Sequence, residues 1–243
     1  MATTCDRFLD GKVVVNQPAD GFRAGIDAVL LAASIRTKSG DSLLELGCGA
    51  GTATLCAAHR LPDCHFVGLD IDPAMIVLAH QNIAANGMEE LISVIDGDVA
   101  SPESVGVFDR VFFNPPFFDD DKALRKPKPG KEKAYLSGHA PLDVWISQAR
   151  RALKPKGRVF IIHRADALAN LLTSLSNGFG DIAIKPVQPR SDTPAKRVLV
   201  SARKGTKAPL TLLPPLILHD DAGGKYSAEA DTILRGCGTV EMV

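Results

Sequence analysis

Asn114, Pro115, Pro116 and Phe117 set a side-chain amide, two residues without a backbone N–H and an aromatic ring at the end of the apolar run "RVFF". Proline stiffens a turn and removes donors, so the Asn114 side-chain oxygen and the Pro115 carbonyl face outward as two fixed acceptors. Such a pair can hold both hydrogens of one planar amino group. Phe117 adds a face for a stacked ring, a contact of roughly 1–3 kcal/mol in single-stranded recognition. The alternative is a proline turn that ends a strand, with Phe117 and Phe118 entering the core. Asp119, Asp120 and Asp121 follow directly and have no role in either reading.

A second constellation lies upstream. "ELGCGAG" places Glu45, Gly47, Cys48, Gly49 and Gly51 between a strand-like run and a helix-like one, where missing side chains let a ligand approach the backbone and the helix N-terminus. A dinucleotide fingerprint would need glycine at position 52, where Thr52 stands. Asp70 ends "VGLD" and Asp98 ends "VIDGD". An aspartate after a strand is by itself a turn former or cap, the role assigned to Asp72 and Asp96.

These residues need a frame that brings strand ends together. "SLLEL", "HFVGLD", "ISVIDGD", "DRVFFN" and "RVFIIHR" read as strands, separated by helix-like segments. Alternation of this kind predicts a mostly parallel sheet with helices on both faces, the ligands gathering at its carboxyl edge. In "DPAMIVLAHQNIAANG", Asp72 caps a helix, Pro73 opens it and Gly87 lies past its end. "IAIKPVQP" and "KRVLVSARKG" are too close for a crossover helix, so the last strand runs antiparallel. "KPKG" and the proline-containing "KGTKAPLTLLPP" read as a turn and a loop. The chain divides into an N-terminal hairpin and helix (1–37), a central domain (38–204) and a C-terminal extension (205–243).

Net charge is zero, yet residues 1–109 hold 6 Lys/Arg against 15 Asp/Glu while the remainder holds 22 against 13. Lys122–Lys133 contains six basic residues and one acidic, and Lys185–Lys207 seven and one. Such segments can track phosphates or simply be solvated. Five cysteines without a CxxC pair indicate neither a disulfide framework nor a metal site, and no apolar run is long enough to span a bilayer. A soluble protein of a reduced cytoplasm is expected.

The spacing ExGxGxG resembles the first motif of class I S-adenosylmethionine-dependent methyltransferases. The resemblance implies a Rossmann-like α/β fold with a seven-stranded sheet, and S-adenosylmethionine as cofactor. It places Glu45 near the methionine ammonium, the glycines with Cys48 beneath the ligand, Asp70 and Ile71 at the ribose, and Asp98 and Val99 at the adenine. "NPPF" is similar to the motif of enzymes that methylate planar nitrogens, which implies catalytic roles for Asn114, Pro115, Pro116 and Phe117. "NPPFF" with "QPADGFRAGIDAVLLAAS" resembles the tRNA adenine-N6 methyltransferases acting at position 37 of a valine tRNA, over most of residues 12–204. That resemblance implies an RNA partner and sets Arg23 or Asp27 near the transferred methyl group; Asp27 reads equally as a helix cap. Guanine-N2 methylation of rRNA, glutamine methylation of a release factor, and a non-catalytic cofactor- and RNA-binding module are the alternatives. Release-factor enzymes usually carry tyrosine where Phe117 stands. His139 either touches substrate or caps the following helix, and Trp145 reads as core.

Overall fold

In the computed structural model, residues 2–21, 23–101, 103, 105–116, 140–220 and 224–242 are described. Each short apolar run of the central region is a strand whose successor is reached through a helix or loop: β3 (Ser42–Leu46), β4 (His65–Asp70), β5 (Ile92–Asp96), β6 (Phe108–Phe113) and β7 (Leu153–Arg164). They pair in parallel in the order β7-β6-β3-β4-β5. From β3 the chain moves outward through β4 and β5, then returns to β6 on the other side of β3. The ends of β3 and β6 therefore flank the point where strand order reverses, the place where open α/β sheets form a crevice.

Helices α2 (Thr52–Arg60) and α3 (Pro73–Ala85) cover one face with α1 (Ile26–Ser34); α4 (Leu142–Ala152) and α5 (Leu168–Leu175) cover the other. Two apolar clusters result, one holding Leu43, Phe66, Phe112 and Phe160, the other Leu44, Leu46, Phe113 and Trp145. Adjacent strand residues enter opposite clusters, as a sheet buried on both faces requires. Beyond β7 the sheet continues through β9 (Arg197–Lys204), antiparallel to both neighbours, to β8 (Phe179–Gln188).

The expected loop "PLTLLPP" instead supplies two-residue strands, β10 (Thr211–Leu212) and β11 (Leu216–Ile217), both parallel to β8. Among the described residues they raise the sheet from the expected seven strands to nine. The "KPKG" turn lies within β7: Phe108 pairs with Leu153 but Arg110 with Arg158, so residues 154–157 bulge, with Lys156 at φ +61°.

At the N-terminus, β1 (Thr3–Phe8) and β2 (Val13–Pro18) form a separate antiparallel hairpin. The C-terminal segment carries α6 (Ala228–Leu234) and closes back on the N-terminal half, with the Val240 N–H donating to the Ala33 carbonyl at 2.9 Å and Arg36 paired with Glu241 at 2.7 Å. Among the described residues no helix is long and apolar enough to cross a membrane.

Candidate active site

The turn after β3 is left-handed at three positions: Gly47 (φ +67°), Gly49 (φ +55°) and Gly51 (φ +84°), the last being the N-cap of α2. Side chains are disfavoured there for conformational reasons. At Gly47 there is also no room, since a Cβ would lie 2.6 Å from Trp145 Cη2. The neighbouring strand holds the turn in place. Asp70, at the end of β4, accepts from the Gly49 N–H at 2.7 Å and from the Asp72 N–H at 2.9 Å, while the Cys48 N–H donates to the Leu69 carbonyl at 3.0 Å.

Above this turn lies a cavity of about 410 Å³. The sheet edge contributes Glu45, Gly47, Cys48, Gly49, Asp70, Ile71, Val99, Asn114 and Pro116; Trp145 closes one side, and Gln17 and Pro18 at the end of β2, with Asp20, Gly21 and Ala24 beyond it, close another. Both sequence constellations thus meet at one edge, as the strand-order reversal requires. Five described residues named from the sequence do not line the cavity. Gly51 caps α2, and Pro115 is buried. Asp98 forms a turn, its carboxylate accepting from the Ala100 N–H at 2.7 Å. Asp27 is not the expected cap: Gly25 holds that position without a side-chain bond, and Asp27, within the first turn, pairs with Arg197 at 2.8 Å. Arg23 pairs with Asp6. Phe117, Phe118, Asp119–Asp121, the basic segment Lys122–Lys133 and His139 lie outside the described residues.

Burial controls the charge of the site. Glu45 is 4% exposed, and burial pushes its carboxyl up to about 8 against the opposing hydrogen bond from the Thr54 hydroxyl; Asp70 raises it further. Burial also raises Asp70, offset by the backbone N–H groups it accepts. The Cys48 thiol rises well above its ordinary value through burial, then Glu45 and Asp70, so it is no nucleophile. Two acids whose charged forms are disfavoured by burial favour a cationic ligand, because an adjacent positive charge stabilises the carboxylates. Among the described residues that line the cavity, three polar atoms are buried without a partner: the acceptor Asn114 Oδ1, the donor Trp145 Nε1 and the Thr52 hydroxyl oxygen. Unmade hydrogen bonds of this kind cost roughly 1–3 kcal/mol each and mark where a ligand's polar groups complete the site.

Trp145 and Gln17 were not singled out as site residues. The helical apolar pattern accounts correctly for Trp145 as a core residue, 4% exposed, and is silent about the cavity on its other side. The basic stretch Lys185–Lys207 is not one face. β9 starts at Arg197, opposite Arg164 at the site edge, and ends near Arg203, opposite Arg158 at the far edge, about 20 Å away at strand rise.

Residues 37–197 match the Methyltransferase domain family. A tRNA1(Val) (adenine(37)-N6)-methyltransferase of Porphyromonas gingivalis is 31% identical over 92% of this chain and 91% of its own length. A protein of the same name from Haemophilus influenzae is 25% identical over 91% and 93%. Among solved structures, a predicted O-methyltransferase from Agrobacterium tumefaciens superimposes with a TM-score of 0.74, covering 88% of this chain and 98% of that one at 24% identity, which shows a shared fold. Glycine turn, acids and sheet order agree with these likenesses, and the chain belongs to the class I S-adenosylmethionine-dependent methyltransferases, in the family of the tRNA1(Val) (adenine(37)-N6)-methyltransferases.

Proposed function

We propose that this enzyme methylates the exocyclic N6 of an adenine in tRNA, at position 37 of a valine tRNA, with residues 38–204 as the catalytic domain. The relatives' names support the substrate, and one feature of the site carries the chemistry: Asn114 Oδ1 is a buried acceptor without a partner at the rim of the donor cavity. When bound, S-adenosylmethionine supplies an electrophilic methyl group on a sulfonium. Glu45 holds the ammonium of the donor's methionine moiety, Asp70 the ribose hydroxyls, and Val99 with the turn at Asp98 the adenine.

The target amine is a poor nucleophile because its lone pair is delocalised into the ring. Asn114 Oδ1 and the Pro115 carbonyl accept its two hydrogens and direct the lone pair toward the methyl group, Phe117 stacks on the base, and Pro116 borders the cavity. No general base is needed, since the methylated nitrogen is acidic enough to release its proton to water. Catalysis is then alignment within a site from which water is largely excluded. Lys196 and Arg197, on the site edge, support an approach by phosphates.

Incubating tRNA from cells lacking the modification with labelled donor, followed by nucleoside analysis, tests the reading. Label in N6-methyladenosine is expected. Label in N2-methylguanosine, in release-factor protein, or in neither would overturn it.

A further inference from the structure

The N-terminal hairpin is not part of the main sheet, yet the segment leaving it walls the donor cavity. What registers it is a pair of asparagines one helical turn apart, Asn82 on α3 and Asn86 at its C-cap. Asn86 Oδ1 accepts from the Val14 N–H at 2.9 Å and Asn86 Nδ2 donates to the Val14 carbonyl at 2.7 Å. Asn82 repeats the pattern two strand residues on, with Oδ1 accepting from the Asn16 N–H at 2.8 Å and Nδ2 donating to the Asn16 carbonyl at 2.9 Å. Four helix residues advance about 6 Å and two strand residues about 6.8 Å, so side-chain amides take the place of a neighbouring strand along the open edge of β2.

The two asparagines differ in one respect. The second hydrogen of Asn86 Nδ2 returns to its own helix, to the Asn82 carbonyl, whereas that of Asn82 Nδ2 goes to the Ala50 carbonyl in the glycine turn at 2.9 Å. Asn82 is fully buried. Just beyond Asn16, the Gln17 side chain exchanges two hydrogen bonds with the Ala24 backbone, at 2.8 and 3.1 Å, closing the loop that carries Pro18, Asp20 and Gly21 over the cavity.

We infer that Asn82 is a positioning residue of the donor site: one buried amide sets the hairpin wall and the glycine turn in register, so that cofactor binding and hairpin docking are coupled. Asn86 anchors the same strand without that coupling. The inference rests on the cavity being the donor site, which wild-type binding of S-adenosylhomocysteine tests separately in the same titrations.

The experiment compares Asn82→Ala with Asn86→Ala by thermal melting and by calorimetric titration with S-adenosylhomocysteine. Both variants should melt earlier, by similar amounts. Asn82→Ala should bind at least about tenfold more weakly, with a raised KM for the methyl donor, and Asn86→Ala within about threefold of wild type. Equal losses of affinity, or wild-type affinity in Asn82→Ala, would overturn the coupling. Should Asn82→Ala fail to fold, amide exchange in the wild-type protein decides. S-adenosylhomocysteine should protect the Asn16 N–H several-fold more than the Val14 N–H; an equal response, or none, would overturn the inference.

Discussion

Gly47 and Trp145 meet face to face: a single added carbon on the glycine would stand 2.6 Å from the indole Cη2. The turn proposed to receive the donor is therefore seated on a helix from the far side of the sheet. Gly47→Ala must displace the indole and also hold alanine at φ +67°, a conformation costing about 1–2 kcal/mol. We expect a clear fall in melting temperature and a loss of S-adenosylhomocysteine affinity of tenfold or more. Adding Trp145→Leu makes room without removing the backbone strain, so the double variant should recover only part of the stability. Full recovery would mean that steric crowding alone demands glycine here.

Asn114→Ala separates chemistry from donor binding. The Asn114 oxygen is buried and unpaired at the cavity rim, so its removal leaves no orphaned partner in the free enzyme. Loss of one charge-orienting group of this type lowers kcat by roughly 10²–10³-fold. S-adenosylhomocysteine affinity should stay within about threefold of wild type, and stability should be unchanged or slightly higher. Single-turnover methylation of tRNA beside calorimetric titration reads both quantities; a variant that methylates normally removes Asn114 from the mechanism.

The parts of the fold that local physics determines were readable in advance. Asp72 accepts from the Ala74 N–H at 2.9 Å, Pro73 opens α3, and Gly87 takes φ +64° just past its end, as capping chemistry predicts. The alternation of strands and helices likewise settles which ends share an edge, which is why Glu45, Asp70 and Asn114 meet. Features built from distant pairs left no local mark. Asn82 and Asn86 look like ordinary polar residues of an exposed helix face until β2, 66 or more residues earlier, is laid beside them. Strands of two residues, such as β10 and β11, are too short for any periodicity to register. Asp27 misled because an aspartate before an apolar run is a good cap signal, whereas an ion pair to Arg197, 170 residues later, is invisible locally.

Asp109 offers a pH test at the opposite end of the sheet. Burial works against its ionisation, but Lys154 at 2.8 Å and the Ser42 N–H and hydroxyl at 3.0 and 2.9 Å outweigh it and hold the carboxyl at about 2. A carboxyl depressed in the folded state stabilises it fully above the unfolded value near 4, and this contribution disappears as pH falls toward 2. The side chain is partly exposed, which keeps the effect modest. Asp109→Asn should therefore flatten the decline in melting temperature between pH 4 and 2, while lowering stability at pH 7. An unchanged acid limb would show that other carboxylates control it.

Glu45 should make donor binding release a proton. In the free enzyme its carboxyl titrates at about 8, so at pH 7 it is mainly protonated. The donor's α-amino group is cationic below about 7.7–8.0, and its arrival beside Glu45 favours the carboxylate. Affinity should rise with pH up to about 8 and fall above it as the ligand amine loses its charge. Calorimetry at pH 7 in two buffers of different ionisation enthalpy should count close to one proton released by wild type and none by Glu45→Gln. The same carboxyl has the opposite effect on stability. Because its folded value is raised, the folded state holds more protons than the unfolded chain between about 4.5 and 8, and stability falls as pH rises through that window. Glutamine can still accept from the Thr54 hydroxyl but carries no proton to lose. At pH 8.5 Glu45→Gln should thus melt higher than wild type while binding S-adenosylhomocysteine more weakly. If both quantities fall together, the Thr54 contact rather than the buried charge governs the site, and the assignment of Glu45 to the ammonium loses its support.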